Sequence, residues 1–243
     1  MSPVLPTARA VAVVPLRDGV SGKSRLATAL DPAARRRLVA ALARHVVGTL
    51  LASDGVERVV VVTADPPFAR EVLAGLGAGP GEAAVRLAVL PQPADRPGLN
   101  AALDVARAAL LAGEADLSAT RLLVAHADLP ALSPEDVAAL LAAPGTAETP
   151  EHTRTPGPAE AGAADVVVAT DRHGTGTNLL VLPLAAAGFA FRFGAGSRAA
   201  HEAEAARRGL RAVVVQRPGT AADLDTLDDW DQLPATVRTR LAA

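Results

Sequence analysis

Short runs of aliphatic, mostly β-branched residues punctuate this chain at residues 11–14, 59–63, 85–90, 122–125, 165–169, 179–182 and 211–216, and several of the stretches between them carry apolar residues at helical spacing. Runs of that length with no polar alternation read as strands buried on both faces. Strands that alternate with helices then predict an α/β fold: a mainly parallel sheet sandwiched by helices, with any ligand at the carboxyl ends of the strands. The helix signals agree. Asp31-Pro32 reads as an N-cap followed by proline at the first helical position, with Leu38, Leu42, Val46 and Leu50 recurring behind it. A second helix is predicted over about 99–111. Ser133 caps a third, whose first turn holds Glu135 and Asp136 where the helix dipole favours anions.

At 243 residues the chain is long enough for one full-sized core, and we read 1–243 as a single domain. Residues 143–164 break the pattern with Pro, Gly, Thr, Glu and Ala and no apolar period. This stretch is expected to be a mobile insertion rather than a domain linker, because the strand that follows it needs the earlier sheet as its partner.

Composition removes several classes of function. With 24 Lys+Arg against 26 Asp+Glu the net charge is −2, so no basic field is present to hold a long nucleic acid. One Trp, four Phe and no Tyr leave little for bases to stack on. The absence of Cys excludes disulfides, thiolate nucleophiles and cysteine zinc sites. The apolar stretch after Arg9 is short and contains Pro15, which does not make an export signal, and the stretch 38–52 is interrupted by Arg44 and His45. A cytoplasmic protein with no membrane partner is the expectation.

Arg17 to Ser24 ends in Gly22-Lys23-Ser24 after a strand, and so invites a P-loop reading. That motif needs glycine where Arg17 stands, and its long helix would be interrupted by Asp31-Pro32. A solvated turn is one alternative; a phosphate-binding loop of another kind, with Lys23 and Arg25 converging on a triphosphate, is the favoured one. Asp128, in Ala127-Asp128-Leu129-Pro130, follows a buried strand and so lies at the carboxyl edge of the sheet. Asp223 and Asp225 alternate in an extended segment and face the same way. Three carboxylates of this kind suit Mg²⁺, a hard cation, although the pair also precedes a helix capped at Thr226. Gly174-Thr175-Gly176-Thr177-Asn178 and Phe193-Gly194-Ala195-Gly196-Ser197 offer main-chain N–H groups free of side-chain bulk, as anion cradles do. His126, His173 and His201 lie beside these motifs at no metal-binding spacing, and we read them as positioning groups.

Taken in order, Val14-Pro15-Leu16-Arg17, Lys23-Ser24-Arg25-Leu26, Leu99-Asn100, Ala127-Asp128-Leu129-Pro130, the 171–178 and 193–197 loops with His201, and Asp223-Leu224-Asp225-Thr226 make a chain that resembles the guanylyltransferases of coenzyme F-420 biosynthesis. These join GTP to phosphoenolpyruvate or 2-phospho-L-lactate. The resemblance implies a Rossmann-like nucleotidyltransferase fold of the GT-A type. It also implies catalytic Lys23, Arg25 and Asp128; Mg²⁺ on Asp128, Asp223 and Asp225; the small phosphorylated acid on Thr177, Gly194 and Ser197; and GTP on Pro15, Leu16, Arg17, Lys23 and Asn100. Arg172 and His173 adjoin the acid loop. A downstream biosynthetic transferase would take the product. Arg17, Ser24, His126 and Ala195 depart from the family's usual lysine, threonine, proline and proline. Phosphoenolpyruvate is the expected acceptor, with 2-phospho-L-lactate, another nucleotidyltransferase of the same fold, or a non-catalytic nucleotide-binding regulator as the alternatives.

Overall fold

The structure, a computed structural model, describes residues 9–17, 26–27, 29–77, 86–113, 120–143, 165–186 and 188–242. Its centre is one seven-stranded sheet in the order β3-β2-β1-β4-β6-β5-β7. The strands are β1 (Arg9–Leu16), β2 (Val56–Thr63), β3 (Leu87–Pro91), β4 (Thr120–Ala125), β5 (Val166–Ala169), β6 (Leu179–Pro183) and β7 (Ala212–Val215). Every predicted strand run is present; Val85, within the run at 85–90, lies outside the described residues. The runs carry no alternation because both faces are covered. In β1, Ala10, Ala12, Val14 and Leu16 pack into one core and Val11 and Val13 into the other.

The first core is closed by α1 (Pro32–Ala52), α2 (Pro66–Leu73) and α4 (Pro134–Leu141), which contribute Val46, Leu50, Phe68 and Leu140. The second is closed by α3 (Leu99–Gly113) and α5 (Ser197–Arg207) together with Phe189, Phe191 and Phe193. The predicted caps form: Asp31 accepts from Ala34 N at 2.7 Å, and Ser133 and Asp136 make a reciprocal capping box. The same Asp-Pro grammar at Asp65-Pro66 starts α2, a helix the sequence reading did not single out. Three short helices complete the chain: α6 (Pro218–Ala221), α7 (Leu227–Gln232) and α8 (Ala235–Ala242).

The sheet is mainly parallel with one reversal. Strand β6 runs antiparallel to both β4 and β5, whereas β1–β2, β1–β4, β2–β3 and β5–β7 are parallel pairs. Chain order turns back at β1, which lies between β2 and β4, so the crevice of the fold opens at the carboxyl ends of β1 and β4. Because β6 is reversed, the short segment 170–178 that links it to β5 lies at that same rim. At the opposite rim, Arg121 near the start of β4 donates to Leu141 O at 3.1 Å, tying down the end of α4. Residues 144–164, most of the expected insertion, lie outside the described residues. Among the described residues no helix is long and apolar enough to cross a membrane.

Candidate active site

A cleft of about 1080 Å³ opens at the switch point, lined among others by Pro15, Leu16 and Arg17 from the end of β1 and by Asp128 from the segment after β4. The 171–178 loop, Gly194, Ser197, Asp223 and Asp225 complete its wall. Ten of the twelve predicted site residues fall among the described ones, and nine of those face this one cleft. Lys23 and Arg25 lie outside the described residues. Asn100, expected to contact the nucleotide, holds the main chain of Phe193 in this structure. It does not line the cleft; its Nδ2 donates to Phe193 O at 3.1 Å and its Oδ1 accepts from Phe193 N at 2.9 Å. Its position on α3 brings the amide against the main chain of Phe193, and both ends are engaged there.

The glycine-rich side of the cleft is held at many points. Asp171 Oδ1 accepts from Thr175 N at 2.9 Å, Asp171 O accepts from Gly174 N and from Gln216 Nε2, and Thr175 O accepts from Arg198 N at 3.1 Å. Gly176 is required by this packing, since a Cβ there would stand 2.6 Å from Asp171 Oδ2. The second loop turns on Gly196, at φ 69° just before α5, and Ser197 N donates to Gly194 O at 3.1 Å. Part of the donor capacity expected of Ser197 is therefore used within its own turn. His201, fully buried on α5, joins the two loops: Nδ1 is 3.0 Å from Thr177 Oγ1, and Nε2 accepts from Arg192 N at 3.0 Å. Its ring meets that of Phe193 edge-on, with centroids 4.7 Å apart. Burial, then the nearby His126 and Arg192, push its pKa down to about 4, so the imidazole is neutral at ordinary pH.

The acidic side is built differently. Leu224 N donates to Asp128 O at 3.1 Å, and Leu224 itself is buried, so its neighbours Asp223 and Asp225 are carried against the segment after β4. Burial, followed by the negative charges of Asp128 and Asp225, raises the pKa of Asp223, while a hydrogen bond from the Asn178 side chain acts the other way. Three carboxylates thus lie near one another on this side of the cleft. Among the described residues, however, no group of three or more His, Asp or Glu converges as a ready-made metal cage.

Several organising contacts were not legible in the sequence. Asn178 Nδ2 donates to Thr220 O at 2.9 Å, which fastens the glycine loop to the segment leading to Asp223. That segment is also braced from below, where Arg217 Nε donates to Asp136 Oδ1 at 2.7 Å. Asp229, buried at the start of α7, accepts from Asp225 N at 2.9 Å and Thr226 N at 2.7 Å, and its other oxygen pairs with Arg172 at 2.5 Å. Burial alone would raise the Asp229 pKa, but hydrogen bonds from Asp225, Thr226 and Arg172 hold it below the usual carboxylate range. Arg172, read only as a neighbour of the acid loop, thus also ties that loop to the acidic one. The sole local signal for Asp229 was the Thr226-x-x-Asp229 spacing of a capping box.

Comparison with known proteins places this cleft in context. The family described as "Guanylyl transferase CofC like" matches residues 158–234, which span the glycine loops and the acidic pair. Among solved structures, one described as a nucleotide-diphospho-sugar transferase from Desulfovibrio desulfuricans G20 superposes with a TM-score of 0.64 at 14% identity, covering 96% of this chain and 94% of that one. A 4-diphosphocytidyl-2C-methyl-D-erythritol synthase does so with a TM-score of 0.57 at 15% identity, over 96% and 99% of the two chains. At those identities the likeness concerns the fold, which is that of the nucleotidyltransferases. Sequence similarity reaches further: the phosphoenolpyruvate guanylyltransferase of Conexibacter woesei is 36% identical over 94% of this chain and 89% of its own length. That of Rubrobacter xylanophilus is 38% identical over 93% of both. Identity of that degree, sustained from one end of the sheet to the other, makes this chain a member of the phosphoenolpyruvate guanylyltransferase family.

Proposed function

We infer that this protein transfers a guanylyl group from GTP to phosphoenolpyruvate. A phosphate oxygen of the acid attacks the α-phosphorus of GTP, the bond to the β,γ-diphosphate breaks, and pyrophosphate leaves. The product, enolpyruvoyl-2-diphospho-5'-guanosine, belongs to coenzyme F-420 biosynthesis and would pass to a downstream transferase. The observation that carries this reading is the juxtaposition, in one cleft, of a crowded carboxylate group around Asp223 and a rigid, glycine-rich cradle around Thr177 and Gly194. Two polyanions must meet for this reaction: the cradle would receive one directly, and the carboxylates would act on the other through a bound cation.

In this assignment Pro15, Leu16 and Arg17 receive the nucleotide, with Lys23 and Arg25 on its triphosphate. Thr177, Gly194 and Ser197 hold the acid, and Asn100 fixes the main chain from which Gly194 is presented. Asp128, Asp223 and Asp225 would hold Mg²⁺, whose chemistry when bound is to neutralise phosphate charge and align the reacting oxygens. The raised pKa of Asp223 supports that fit, because a nearby cation would offset both the burial and the neighbouring negative charges that raise it. No general base is required: the attacking phosphate is already ionised near neutral pH. What the residues supply is orientation and compensation of charge. We place the reaction in one catalytic domain in the cytoplasm.

The test is pyrophosphate release with GTP and Mg²⁺, run side by side with phosphoenolpyruvate and 2-phospho-L-lactate and repeated with the other nucleoside triphosphates. Turnover with GTP and phosphoenolpyruvate is expected. A higher kcat/KM for 2-phospho-L-lactate overturns the acceptor and leaves guanylyl transfer standing; GTP binding without turnover overturns the enzyme assignment.

A further inference from the structure

His201 performs no step in the reaction just described, yet it is fully buried, and it reaches the two loops assigned to the acid with one ring nitrogen each. The arrangement has only one solution for its proton. A main-chain N–H can only donate, so Nε2, which receives Arg192 N at 3.0 Å, carries no hydrogen. In a neutral ring the hydrogen then belongs to Nδ1, and Nδ1 donates to Thr177 Oγ1 at 3.0 Å. The hydroxyl of Thr177 is thereby committed as acceptor to the imidazole, and its own proton must go elsewhere. Among the described residues it meets no other partner, and Thr177 lines the cleft.

We propose that His201 is a positioning residue: by holding Thr177 as an acceptor on one side, it turns the Thr177 hydroxyl into an obligate donor toward the anionic oxygen bound in the cleft. The same imidazole holds Arg192 N, and Asn100 holds both main-chain groups of the next residue, Phe193. The donor on one loop and the start of the Gly194 turn on the other are therefore set by a single rigid group. The rings of Phe189 and Phe193, 6.3 and 4.7 Å from that of His201, fill the space into which it would otherwise swing. A neutral donor holds a phosphorylated acid without a full positive charge drawing electron density from the oxygen that must attack. This inference rests on the assignment of Thr177 to the acid.

Two measurements test it. In the ¹⁵N-labelled wild-type protein, the His201 ring, assigned by its disappearance in His201→Gln, should show a protonated Nδ1 and a bare Nε2 throughout the neutral range. A hydrogen on Nε2, or a doubly protonated ring, overturns the proposal whatever the variants do. In steady-state kinetics, His201→Phe should raise KM for phosphoenolpyruvate roughly three- to tenfold, the range of one neutral hydrogen bond, and leave KM for GTP unchanged. Thr177→Val should do the same, the double variant should lose no more than either single one, and His201→Gln, which can both donate and accept, should recover part of the loss. If Thr177→Val raises KM for the acid but His201→Phe does not, or if their losses add, His201 has only a packing role and the assignment of Thr177 survives. If Thr177→Val leaves that KM unchanged, the assignment itself fails and the proposal with it. Should His201→Phe not fold, the ring-nitrogen measurement on the wild-type protein decides alone.

Discussion

Around Thr177 and Gly194 the wall of the cleft is fastened at nearly every turn, whereas around Asp223 it gathers carboxylates, and burial together with the charges of Asp128 and Asp225 raises the pKa of Asp223. The first region is rigid because main-chain groups, a neutral imidazole and an asparagine satisfy one another. The second is tied together at its backbone, through Leu224 N on Asp128 O and Asp229 on Asp225 N, and it brings three carboxylates close enough for Asp128 and Asp225 to act on Asp223. One side of the cleft thus works by shape and the other by electrostatics. Asn178, Asp229 and Arg172 hold the two in register.

The contrast can be broken experimentally at three points, beginning with the largest effect. Asp128→Asn or Asp225→Asn should lower turnover by roughly a hundredfold or more, while circular dichroism and the melting temperature stay near wild type, because a carboxylate that compensates phosphate charge acts on the transition state. Near-native rates in folded variants would remove the electrostatic role from that side. On the other side, Gly176→Ala forces a Cβ against the anchored carboxylate of Asp171. It should cost about 1–3 kcal/mol of stability in chemical denaturation and raise KM for the acid more than for GTP. An unperturbed denaturation midpoint would mean that the loop is softer than its hydrogen bonds imply.

The smallest effect has the opposite sign. The folded-state pKa of Asp223 lies above its unfolded value, so the stabilising influence of protonation is present at low pH and is lost as pH rises through the folded pKa. At neutral pH the charged carboxylate therefore opposes folding. In the presence of a chelator, Asp223→Asn should raise the melting temperature by roughly 1–3 °C, while turnover falls. The gain should shrink as pH is lowered toward the ordinary carboxylate range. A lower melting temperature at neutral pH would show that the hydrogen bond from Asn178 outweighs the repulsion.

The strands were legible because strands buried on both faces leave uninterrupted aliphatic runs, and the helix starts at Asp31, Ser133 and Thr226 were legible because capping is local. The direction of β6 was not read, since an aliphatic run looks the same whichever way it points. Loop length did contain the answer: residues 170–178 are fewer than the dozen or so that a parallel crossover needs. The site motifs stood out where glycine or aspartate has a local reason to follow a strand. The bonds of Asn178 to Thr220 and of Asp136 to Arg217 did not, because these partners are distant in the chain and only folding brings them together. The hold of Asn100 on Phe193 was not legible either, because no spacing rule tells a side chain that touches a ligand from one that holds a loop.

The rim opposite the cleft has a consequence for how such a chain can vary. Arg121 ties the end of α4 to the base of β4, and β5, running parallel to β4, begins at that same base beside Asp165. Whatever lies between Ala143 and Asp165 is thus attached where the sheet begins, a full strand length away from the cleft. Evolution can lengthen, shorten or rewrite that stretch, and an engineer can splice a tag or a sensor into it, with both anchor points remote from the rim that holds the cleft.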